Sequence, residues 1–398
     1  MSAHRGTGVT PEPGGDAKPG LVMLCDVDFG FPDATRTHTV EVARGFALAG
    51  LDVDLVARGP DPELDGVRYT KADGSEEQRL RRLATINAHA IGLLWRRRAV
   101  ADRFYVRDSW SCLPATVAAR LLSYRVVTQV DGIPYGRVAG EAPSALAMLK
   151  LVVAIVVGRL STGLLAVTPQ IKELMVELAH VPAERIAVVP NGVDLEFFKP
   201  EARSEAIERS GLDQACSYMV FCGGFHAWSD FDLMLEAFAL VLGQRPDARL
   251  LLVGDGPERD LIERRARELH LQDTVSLTGM VYERERVRDY LGAATVALLA
   301  YRGDKVNRTS ASPIKLTEYL AAGRAVVAVE IPGVRELLSD TGAGLVIVGE
   351  PVAMSTAILE LLANGRADVL GAAGRRVAEE RLSWRSVIER TLALFGDH

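Results

Sequence analysis

The fold is decided by the stretch SYMVFCGGFHAWSDFDLMLEAFALVLGQRPDARLLLVGDG, residues 217–256. It opens with a continuous apolar run that ends in two glycines, continues with apolar residues at helical spacing, and closes with a second apolar run that ends in Gly-Asp-Gly. Strands that are apolar on both faces are typical of a parallel sheet covered by helices on both sides. The stretch therefore predicts a strand, a helix and a second parallel strand, with a glycine-rich loop after each strand.

The same alternation extends in both directions along the chain. Upstream, the strand candidates are LVMLCDVD (21–28), LDVDLVAR (51–58), RFYV (103–106), YRVVTQV (124–130), GLLAV (163–167) and RIAVVP (185–190). Downstream they are TVSLTG (274–279), ATVALLA (294–300), RAVVAV (324–329) and GLVIV (344–348). Between the two series, EARSEAIERS (201–210) has no strand signal and is interpreted as a linker. We predict an α/β protein with two tandem doubly wound parallel-sheet (Rossmann-like) domains that face a cleft.

The domain boundaries follow from this pattern. Residues 1–20 are rich in Gly and Pro and are expected to be a disordered tail. Residues 21–200 form the N-terminal Rossmann-like domain, and residues 201–380 form the C-terminal one. Residues 381–398 are expected to form a C-terminal helix that crosses back to the N-terminal domain.

Composition excludes several classes of protein. The chain has 398 residues, with 46 Lys and Arg against 52 Asp and Glu, which gives a net charge of −6. It lacks the positive excess of a nucleic-acid binder, so no nucleic-acid partner is expected. The four cysteines (Cys25, Cys112, Cys216, Cys222) form no CxxC pair, which argues against a zinc ribbon or a secreted disulfide scaffold. Because the first residues also lack a signal peptide, we expect a cytoplasmic protein.

The segment from Ser310 to Gly323 carries the most chemical information. Ser312 suits a helix N-cap, Pro313 suits the first helical turn, and Gly323 suits the position after the C-terminus. A helix start exposes N–H groups that bind anions, and Lys315 in the first turn adds a positive charge. Glu318 lies three residues later on the same face, where its carboxylate is suited to accept hydrogen bonds from a ribose diol. The alternative is a capped helix with a solvated Lys–Glu pair.

Two further loops are expected at the same edge of the second sheet. Gly223 and Gly224 follow the first strand of that domain, with His226 close behind, and glycine lets a phosphate approach the backbone. Gly254-Asp255-Gly256-Pro257 follows the next strand. The sequence Pro190-Asn-Gly-Val-Asp194 closes the first domain. A plain tight turn is the alternative interpretation of the last two.

Taken together, PNGVD, VGDGP, LTGMV and SPIKLTEYLAAGRAVVA, in this order and spacing, resemble the retaining nucleotide-sugar glycosyltransferases of family 4, which have the GT-B fold. The resemblance extends from Leu21 over almost the whole chain and includes the subset with an SPxK…E motif. It implies a nucleoside-diphosphate sugar as donor substrate, with no cofactor and no metal. The N-terminal domain would bind the acceptor, and the C-terminal domain the donor.

Carried over residue by residue, the resemblance assigns the donor site. Glu318 matches the second glutamate of the family's paired motif, which holds the donor ribose, while the first would fall at Ser310. The diphosphate-binding Arg and Lys would fall at Gly224 and Ser229, where both charges are missing. We expect Ser312, Pro313 and Lys315 to hold the phosphates instead, with help from Gly223 and His226. The remaining donor contacts would be to the nucleobase and are expected from Gly279, Met280 and Val281.

The acceptor side offers fewer signals. The family often has a histidine near the reacting sugar, and the matching place holds Asp131, a candidate catalytic residue that would orient a hydroxyl; an Asp-Gly turn is the alternative. His38, at the start of a helix that faces the cleft, is a candidate acceptor ligand or a satisfied first-turn residue. Asp26 and Asp28 spell DxD, a manganese motif in other glycosyltransferases, but their place at the end of the first strand argues against a metal site.

The resemblance implies that the acceptor is a glycan, a lipid-linked acceptor or a small molecule. Two alternatives to a glycosyltransferase stay open: a non-catalytic nucleotide-sugar-binding protein, and a sugar-nucleotide epimerase of the same fold.

Residues 145–160 are more apolar than a surface helix, and Trp95 is followed by three arginines. A buried helix between the domains is the preferred interpretation of 145–160. The alternative is peripheral association with the inner face of a membrane.

Overall fold

The computed structural model describes residues 18–30, 34–72, 79–107, 111–132, 145–302, 312–331, 333–363 and 365–396. Within these residues the chain forms two parallel sheets, each with helices on both faces. This confirms the predicted fold class. Of the predicted site residues, Ser310 lies outside the described part, as does most of the predicted N-terminal tail.

The first sheet has the strand order β3-β2-β1-β4-β5-β6-β7, and each neighbouring pair is parallel. Its strands are β1 (Gly20–Asp28), β2 (Asp52–Arg58), β3 (Val67–Lys71), β4 (Ala101–Arg107), β5 (Arg125–Val130), β6 (Gly163–Ala166) and β7 (Ile186–Val188). The order reverses between β1 and β4, so a crevice opens at the carboxyl ends of these two strands. β3 was not expected from the sequence, because this edge strand is short, half-buried and largely polar.

The second sheet repeats the arrangement in the order β10-β9-β8-β11-β12-β13, again parallel throughout. Its strands are β8 (Ser217–Cys222), β9 (Ala248–Val253), β10 (Val275–Leu277), β11 (Ala294–Leu299), β12 (Ala325–Val329) and β13 (Gly344–Ile347). Here the order reverses between β8 and β11. The loops that follow these two strands therefore border the second crevice.

Helices connect most of the successive strands in both units; β2 and β3 are joined by a loop instead. In the first unit they are α1 (Ala34–Leu48), α2 (Arg79–Arg97), α3 (Leu113–Leu121), α4 (Ala145–Leu160) and α5 (Pro169–Ala179). In the second they are α6 (Arg203–Arg209), α7 (Phe231–Leu242), α8 (Arg259–Glu268), α9 (Arg284–Ala293), α10 (Ile314–Ala321), α11 (Val334–Leu338), α12 (Pro351–Leu362), α13 (Arg366–Arg381) and α14 (Trp384–Ala393). The segment interpreted as a linker therefore contains α6, which is anchored by its buried Ala206 and Ile207.

The two units are joined where the chain crosses between them. Val193, just after β7, pairs in parallel with Ser383, and its N–H donates to the Leu382 carbonyl at 2.7 Å. From there α14 runs along the first unit and packs on α1, with Ile388 buried in the same core as β1. The C-terminal helix thus ties the second unit back to the first.

Helix α4 is not the buried helix between the two domains that the sequence led us to prefer. It packs between α3 and α5 within the first unit and buries Leu151, Ala154, Val157 and Gly158. Its opposite face leaves Leu146, Leu149 and Val152 about half exposed, at 52%, 59% and 49%. The helix is therefore not buried between domains, because the sheet covers only one of its two apolar sides. Among the described residues no helix combines the length and hydropathy required to cross a membrane.

Candidate functional site

The site is built where β8 ends against α10. The Tyr319 hydroxyl, fully buried, accepts the backbone N–H of Cys222 at 2.8 Å and so fixes the end of β8 to the helix. Gly223 follows with φ +139°, a conformation that favours glycine. Gly323, which follows the C-cap of α10, has a φ of +66°, as its position after the C-terminus predicts. The first turn of α10 is thereby held under the glycine loop.

Lys315, in that first turn, carries a charge without a counter-charge in contact. Its Nζ lies 4.0 Å from the centroid of the Phe221 ring and 5.9 Å from that of Tyr301. It forms no hydrogen bond or ion pair with any of the residues that the structure describes. Burial lowers the pKa of Lys315 to about 8, against the opposing effects of Cys222 and Glu318. An ammonium held this way is prepared to meet an external anion.

Glu318 stands one turn further along α10. Its carboxylate likewise has no hydrogen-bond or ion-pair partner among the described residues. Burial raises the pKa of Glu318 to about 7, although the charges of Arg284 and Lys315 lower it. Near neutral pH the group is therefore poised between its acid and its carboxylate, and positive or hydroxyl-bearing ligands favour the carboxylate. Lys315 and Glu318 are brought together as predicted.

Ser312 does not cap the helix, contrary to expectation. Pro313 occupies the N-cap position with φ −67° and ψ 123°, and no side chain caps the helix there. The Ser312 hydroxyl instead accepts the backbone N–H of Asn191 at 2.9 Å, and its carbonyl accepts Nδ2 of Asn191 at 2.5 Å. The reason is tertiary: the crossing segment lies against α10, and Thr317 also donates to the Gly192 carbonyl at 3.3 Å.

The glycine loop after β8 places His226 close to Gly224. Its ring stacks on Trp228 with centroids 4.1 Å apart. A Cβ on Gly224 would lie 2.6 Å from Nε2 of His226, so the imidazole covers the position where a larger residue would project. Burial and the charge of Lys315 lower the pKa of His226, which keeps it neutral near pH 7. Ser229 is buried, with 1% of its surface exposed.

The loops after β9 and β10 border the same edge. Gly254 pairs with Gly279 in an isolated bridge, so these loops lie side by side. Met280 follows with 47% exposure, and Val281 packs partly against the core. This gives an apolar edge of the kind that a flat heterocyclic ring binds.

In the first unit, Asp131 lies at the carboxyl end of β5 with a third of its side chain exposed. Its Oδ2 accepts Nε of Arg107 at 2.7 Å, and its Oδ1 accepts Nε2 of Gln129 at 2.5 Å. Burial opposes ionisation, but Arg107 and the neighbouring polar groups keep the pKa of Asp131 below its usual value. The carboxylate is ionised and oriented, whereas an Asp-Gly turn alone would leave it free.

His38 is placed differently from its prediction. It lies in the second turn of α1, which begins at Ala34, and it is 1% exposed, so no acceptor reaches it in this structure. Asp26 and Asp28 both accept hydrogen bonds from the buried Arg58, at 3.0 and 3.1 Å. Among the described residues no group of three His, Cys, Asp or Glu side chains has the geometry of a metal site.

Sequence reasoning missed Arg284 and Asn191. Arg284 begins α9, and its guanidinium lies 4.5 Å from the Phe197 ring centroid, close enough for its charge to act on Glu318 and on Glu41 of the first unit. No local pattern marks one arginine among many. The Asn191–Ser312 contact joins residues 121 positions apart, although Asn-Gly at the end of the first series was a signal for the crossing.

Two family models match the chain, one over each unit. The model described as Glycosyltransferase Family 4 matches residues 35–197, and the model described as Glycosyl transferases group 1 matches residues 216–364. Together they span most of the chain and include β8, α10 and the crossing segment.

Several curated relatives are similar in sequence. The D-inositol 3-phosphate glycosyltransferase of Xylanimonas cellulosilytica is 30% identical over 275 residues, which cover 66% of this chain and 60% of the relative. The GDP-mannose-dependent alpha-(1-6)-phosphatidylinositol dimannoside mannosyltransferase of Mycobacterium tuberculosis is 26% identical over 221 residues, covering 55% and 54%. In both alignments the chain spans little more than half of the relative. The D-inositol 3-phosphate glycosyltransferase 1 of Catenulispora acidiphila is 24% identical over 394 residues, with 90% of each covered.

Solved structures share the fold. Sucrose-phosphate synthase from Thermosynechococcus elongatus superposes with a TM-score of 0.76 at 18% identity, covering 95% of this chain and 98% of that one. Anabaena HepE, solved in complex with UDP-glucose, gives 0.75 at 15% identity, covering 95% and 99%. WaaG, a glycosyltransferase involved in lipopolysaccharide biosynthesis, gives 0.73 at 16%, covering 95% and 100%.

Proposed function

The chain belongs to the family 4 glycosyltransferases, and we propose on that premise that it moves a sugar from a nucleoside-diphosphate sugar to an acceptor hydroxyl with retention of anomeric configuration. The GT-B architecture that the sequence resemblance implied is confirmed by its structural neighbours. The observation that carries the proposal is that Lys315 and Glu318, both on α10, have no hydrogen-bond or ion-pair partner in the part of the chain that the structure describes. Lys315 and Glu318 suit the two ends of a nucleoside diphosphate, its phosphates and its ribose.

The donor would lie across the carboxyl edge of the second sheet. The N–H groups at the start of α10, the glycine loop at Gly223 and the Lys315 ammonium would receive the diphosphate. The Glu318 carboxylate would accept the two ribose hydroxyls, and the apolar edge at Met280 and Val281 would cover the base. His226, neutral and stacked on Trp228, would donate one further hydrogen bond to a phosphate oxygen.

The transfer step balances without a nucleophile from the protein. The bond between the anomeric carbon and the phosphate oxygen breaks, and the acceptor oxygen bonds to the same face of the sugar. The acceptor proton passes to a phosphate oxygen, so the products are the glycoside and a nucleoside diphosphate. Negative charge grows on that phosphate in the transition state, where Lys315 and the helix N-terminus would stabilise it. We propose that this stabilisation replaces a metal ion, and that the ionised Asp131 orients a reacting hydroxyl.

The departures from the family pattern support this division of roles. Gly224 and Ser229 carry no charge, so neither position offers the usual positive charge to the phosphates. The His226 ring lies over Gly224, and Ser229 is buried. Lys315 is therefore the main fixed charge near the phosphates among the described residues of this loop and helix. It carries a role that the family's usual pattern divides among several residues.

A screen of nucleotide sugars tests the proposal. A ligand at 100 times its dissociation constant adds about 2.7 kcal/mol to the free energy of unfolding, so thermal shifts identify the donor. The shifted nucleotide sugar is then incubated alone, and release of nucleoside diphosphate is measured. A transferase hydrolyses its donor slowly, whereas a binding protein leaves it intact. No shift with any nucleoside diphosphate or its sugars would refute the donor site.

We also propose that the acceptor is met at a membrane surface. Two helices of the first unit that pack against each other carry exposed apolar residues: Leu121 on α3, and Leu146, Leu149, Val152 and Val156 on α4. Exposed arginines, Arg96 and Arg98 near Trp95 and Arg120 on α3, lie on the same helical layer and suit anionic lipid headgroups. Flotation with anionic vesicles at low salt is expected for the wild type and lost in Leu149→Glu. Absence of flotation by the wild type would refute this proposal.

A further inference from the structure

Trp228 is an exposed aromatic residue in the loop between β8 and α7. Its indole ring stacks on the His226 imidazole, with centroids 4.1 Å apart and 22° between the ring planes. The residue nevertheless keeps 46% of its surface exposed. Because the imidazole covers one face of the indole, the exposed surface comes mainly from the opposite face and the ring edges. That outer face is a flat apolar surface of the kind that ligands pack on.

Backbone contacts hold this part of the loop against the loop that follows β11. The N–H of Arg302 donates to the Trp228 carbonyl at 2.9 Å, and Ser229 pairs with Tyr301 in an isolated antiparallel bridge. β8 and β11 are the two strands between which the order of the second sheet reverses. Trp228 therefore lies at the switch point of this sheet, where open parallel sheets bind their ligands.

The two glycines after β8 connect the indole to the Lys315 ammonium. A Cβ on Gly223 would lie 2.7 Å from Nζ of Lys315, and a Cβ on Gly224 would lie 2.6 Å from Nε2 of His226. After burial, the charge of Lys315 is the next cause of the lowered pKa of His226, which agrees with this proximity. The imidazole thus meets Gly224 at its edge and Trp228 at its face. Trp228 lies one aromatic ring away from the loop that would receive the phosphates.

The place of the indole also fits the order of the groups in a nucleotide sugar. The sheet order is β10-β9-β8-β11, so the loops after β9 and β10, which would cover the base, lie on one side of β8. Trp228 is hydrogen-bonded on the other side, to the loop after β11. In a nucleoside-diphosphate sugar the diphosphate separates the base from the sugar. The side of β8 away from the base is therefore the side of the sugar.

We propose that the outer face of Trp228 is a sugar subsite, on which the C–H face of a pyranose ring packs beside the diphosphate. The C–H hydrogens of a sugar carry slight positive charge and suit the negative face of an aromatic ring. The subsite rests on the proposed function, which brings two sugars to this place: the sugar of the donor and the sugar of a glycosylated acceptor. Both present the same C–H faces, and the two are distinguished by experiment.

The first experiment compares nucleotide sugars with their nucleoside diphosphates. Trp228→Leu removes the aromatic face, and Trp228→Phe keeps a smaller one. Leu240→Ala is the matched control, because Leu240 is exposed to a similar extent (44%) near the far end of α7. Calorimetry measures the affinity for UDP-glucose, GDP-mannose and any other nucleotide sugar that binds the wild type, each beside its nucleoside diphosphate. Thermal unfolding checks that the variants fold.

A donor sugar on the indole gives a selective loss. Trp228→Leu should bind the nucleotide sugar about five- to tenfold more weakly than the wild type and bind the nucleoside diphosphate unchanged. Trp228→Phe should lie between the two, and Leu240→Ala should match the wild type. An equal loss for the nucleotide sugar and the nucleoside diphosphate would overturn the sugar subsite, since it would place the base or the phosphates on the indole.

The second experiment detects an acceptor sugar with a fluorine label on the indole. The protein is produced with 5-fluorotryptophan, and the Trp228 signal is the fluorine resonance that is missing from Trp228→Phe. Methyl glucoside, methyl galactoside and methyl mannoside are added to the ligand-free protein and to protein saturated with the nucleotide sugar. If the acceptor's sugar packs on Trp228, a glycoside should shift this signal with the donor bound, and Trp228→Leu should keep its affinity for the nucleotide sugar.

Unchanged affinities in Trp228→Leu together with no shift by any glycoside would overturn the subsite and leave the proposed function intact. The glycosides carry no phosphate, so they also test the subsite separately from the donor. If a glycoside shifts the Trp228 signal while the wild type binds no nucleoside diphosphate or nucleotide sugar, the proposed function fails and the sugar subsite stands.

Discussion

Glu318 is a carboxyl group that folding makes harder to ionise, since burial raises its pKa to about 7. A raised carboxyl pKa means that the folded protein loses stability as pH rises from the ordinary glutamate range through 7. Glu318→Gln should therefore raise the unfolding temperature at pH 8 and change it little at pH 4. It should also weaken nucleoside-diphosphate binding by about 1.5–3 kcal/mol, because charge-assisted hydrogen bonds to the ribose are lost. Calorimetry at pH 8 measures both the unfolding temperature and the affinity for a nucleoside diphosphate. An affinity unchanged in Glu318→Gln would contradict the ribose assignment.

The pH dependence of donor use follows from the same two residues. Below about pH 7 Glu318 takes up a proton, and above about pH 8 Lys315 loses its charge. The value of kcat/KM for the donor should therefore peak between these two limits in the free enzyme. Glu318→Gln should remove the acid limb and leave the alkaline limb in place. A flat profile from pH 6 to 9 would show that neither group titrates in the free enzyme.

At the scale of elements, the loop after β8 packs closely against the Lys315 side chain of α10. A Cβ on Gly223 would lie 2.7 Å from Nζ of Lys315, at a φ of +139° that disfavours any side chain. Gly223→Ala should therefore displace the ammonium, destabilise the fold by about 1–3 kcal/mol and weaken donor binding. The measurement is nucleotide affinity in variants that remain folded by circular dichroism. Wild-type affinity with an unshifted Lys315 pKa would contradict this fit.

The helices and strands also show how much of the fold can be predicted from the sequence. Strands such as β8 and β9 were predictable because an unbroken apolar run leaves few alternatives, and the Lys315–Glu318 pair was predictable from helical spacing. Helix α13 was missed, since most of its buried residues are alanines and glycines, and only Leu370 and Val377 are larger apolar residues. The start of α10 was predicted with a serine cap. The contact that replaces the cap depends on Asn191, and local sequence holds no information about that distant partner.

At the scale of the whole molecule, the crossing segment and α14 join the two units. A Cβ on Gly192 would lie 2.5 Å from carbons of the Trp384 ring, which belongs to the helix that returns to the first unit. Gly192→Ala should therefore push α14 away and destabilise the protein by about 1–3 kcal/mol. Gly243→Ala is the matched control, because its nearest atoms lie at 3.6 Å and its φ is −61°. Equal unfolding midpoints in the two variants would show that Trp384 does not tie the units together.

Both units converge on the first turn of α10, so Lys315→Met tests the account most directly. Charge on the leaving phosphate is greater in the transition state than in the bound donor, so turnover should fall by about 10²–10³-fold while the donor KM changes much less. The measurement is release of nucleoside diphosphate from the donor identified by thermal shift, with and without EDTA. We predict that EDTA has little effect on the wild type. Near-normal turnover in Lys315→Met, or activity that requires added Mn²⁺, would contradict the proposed role of Lys315.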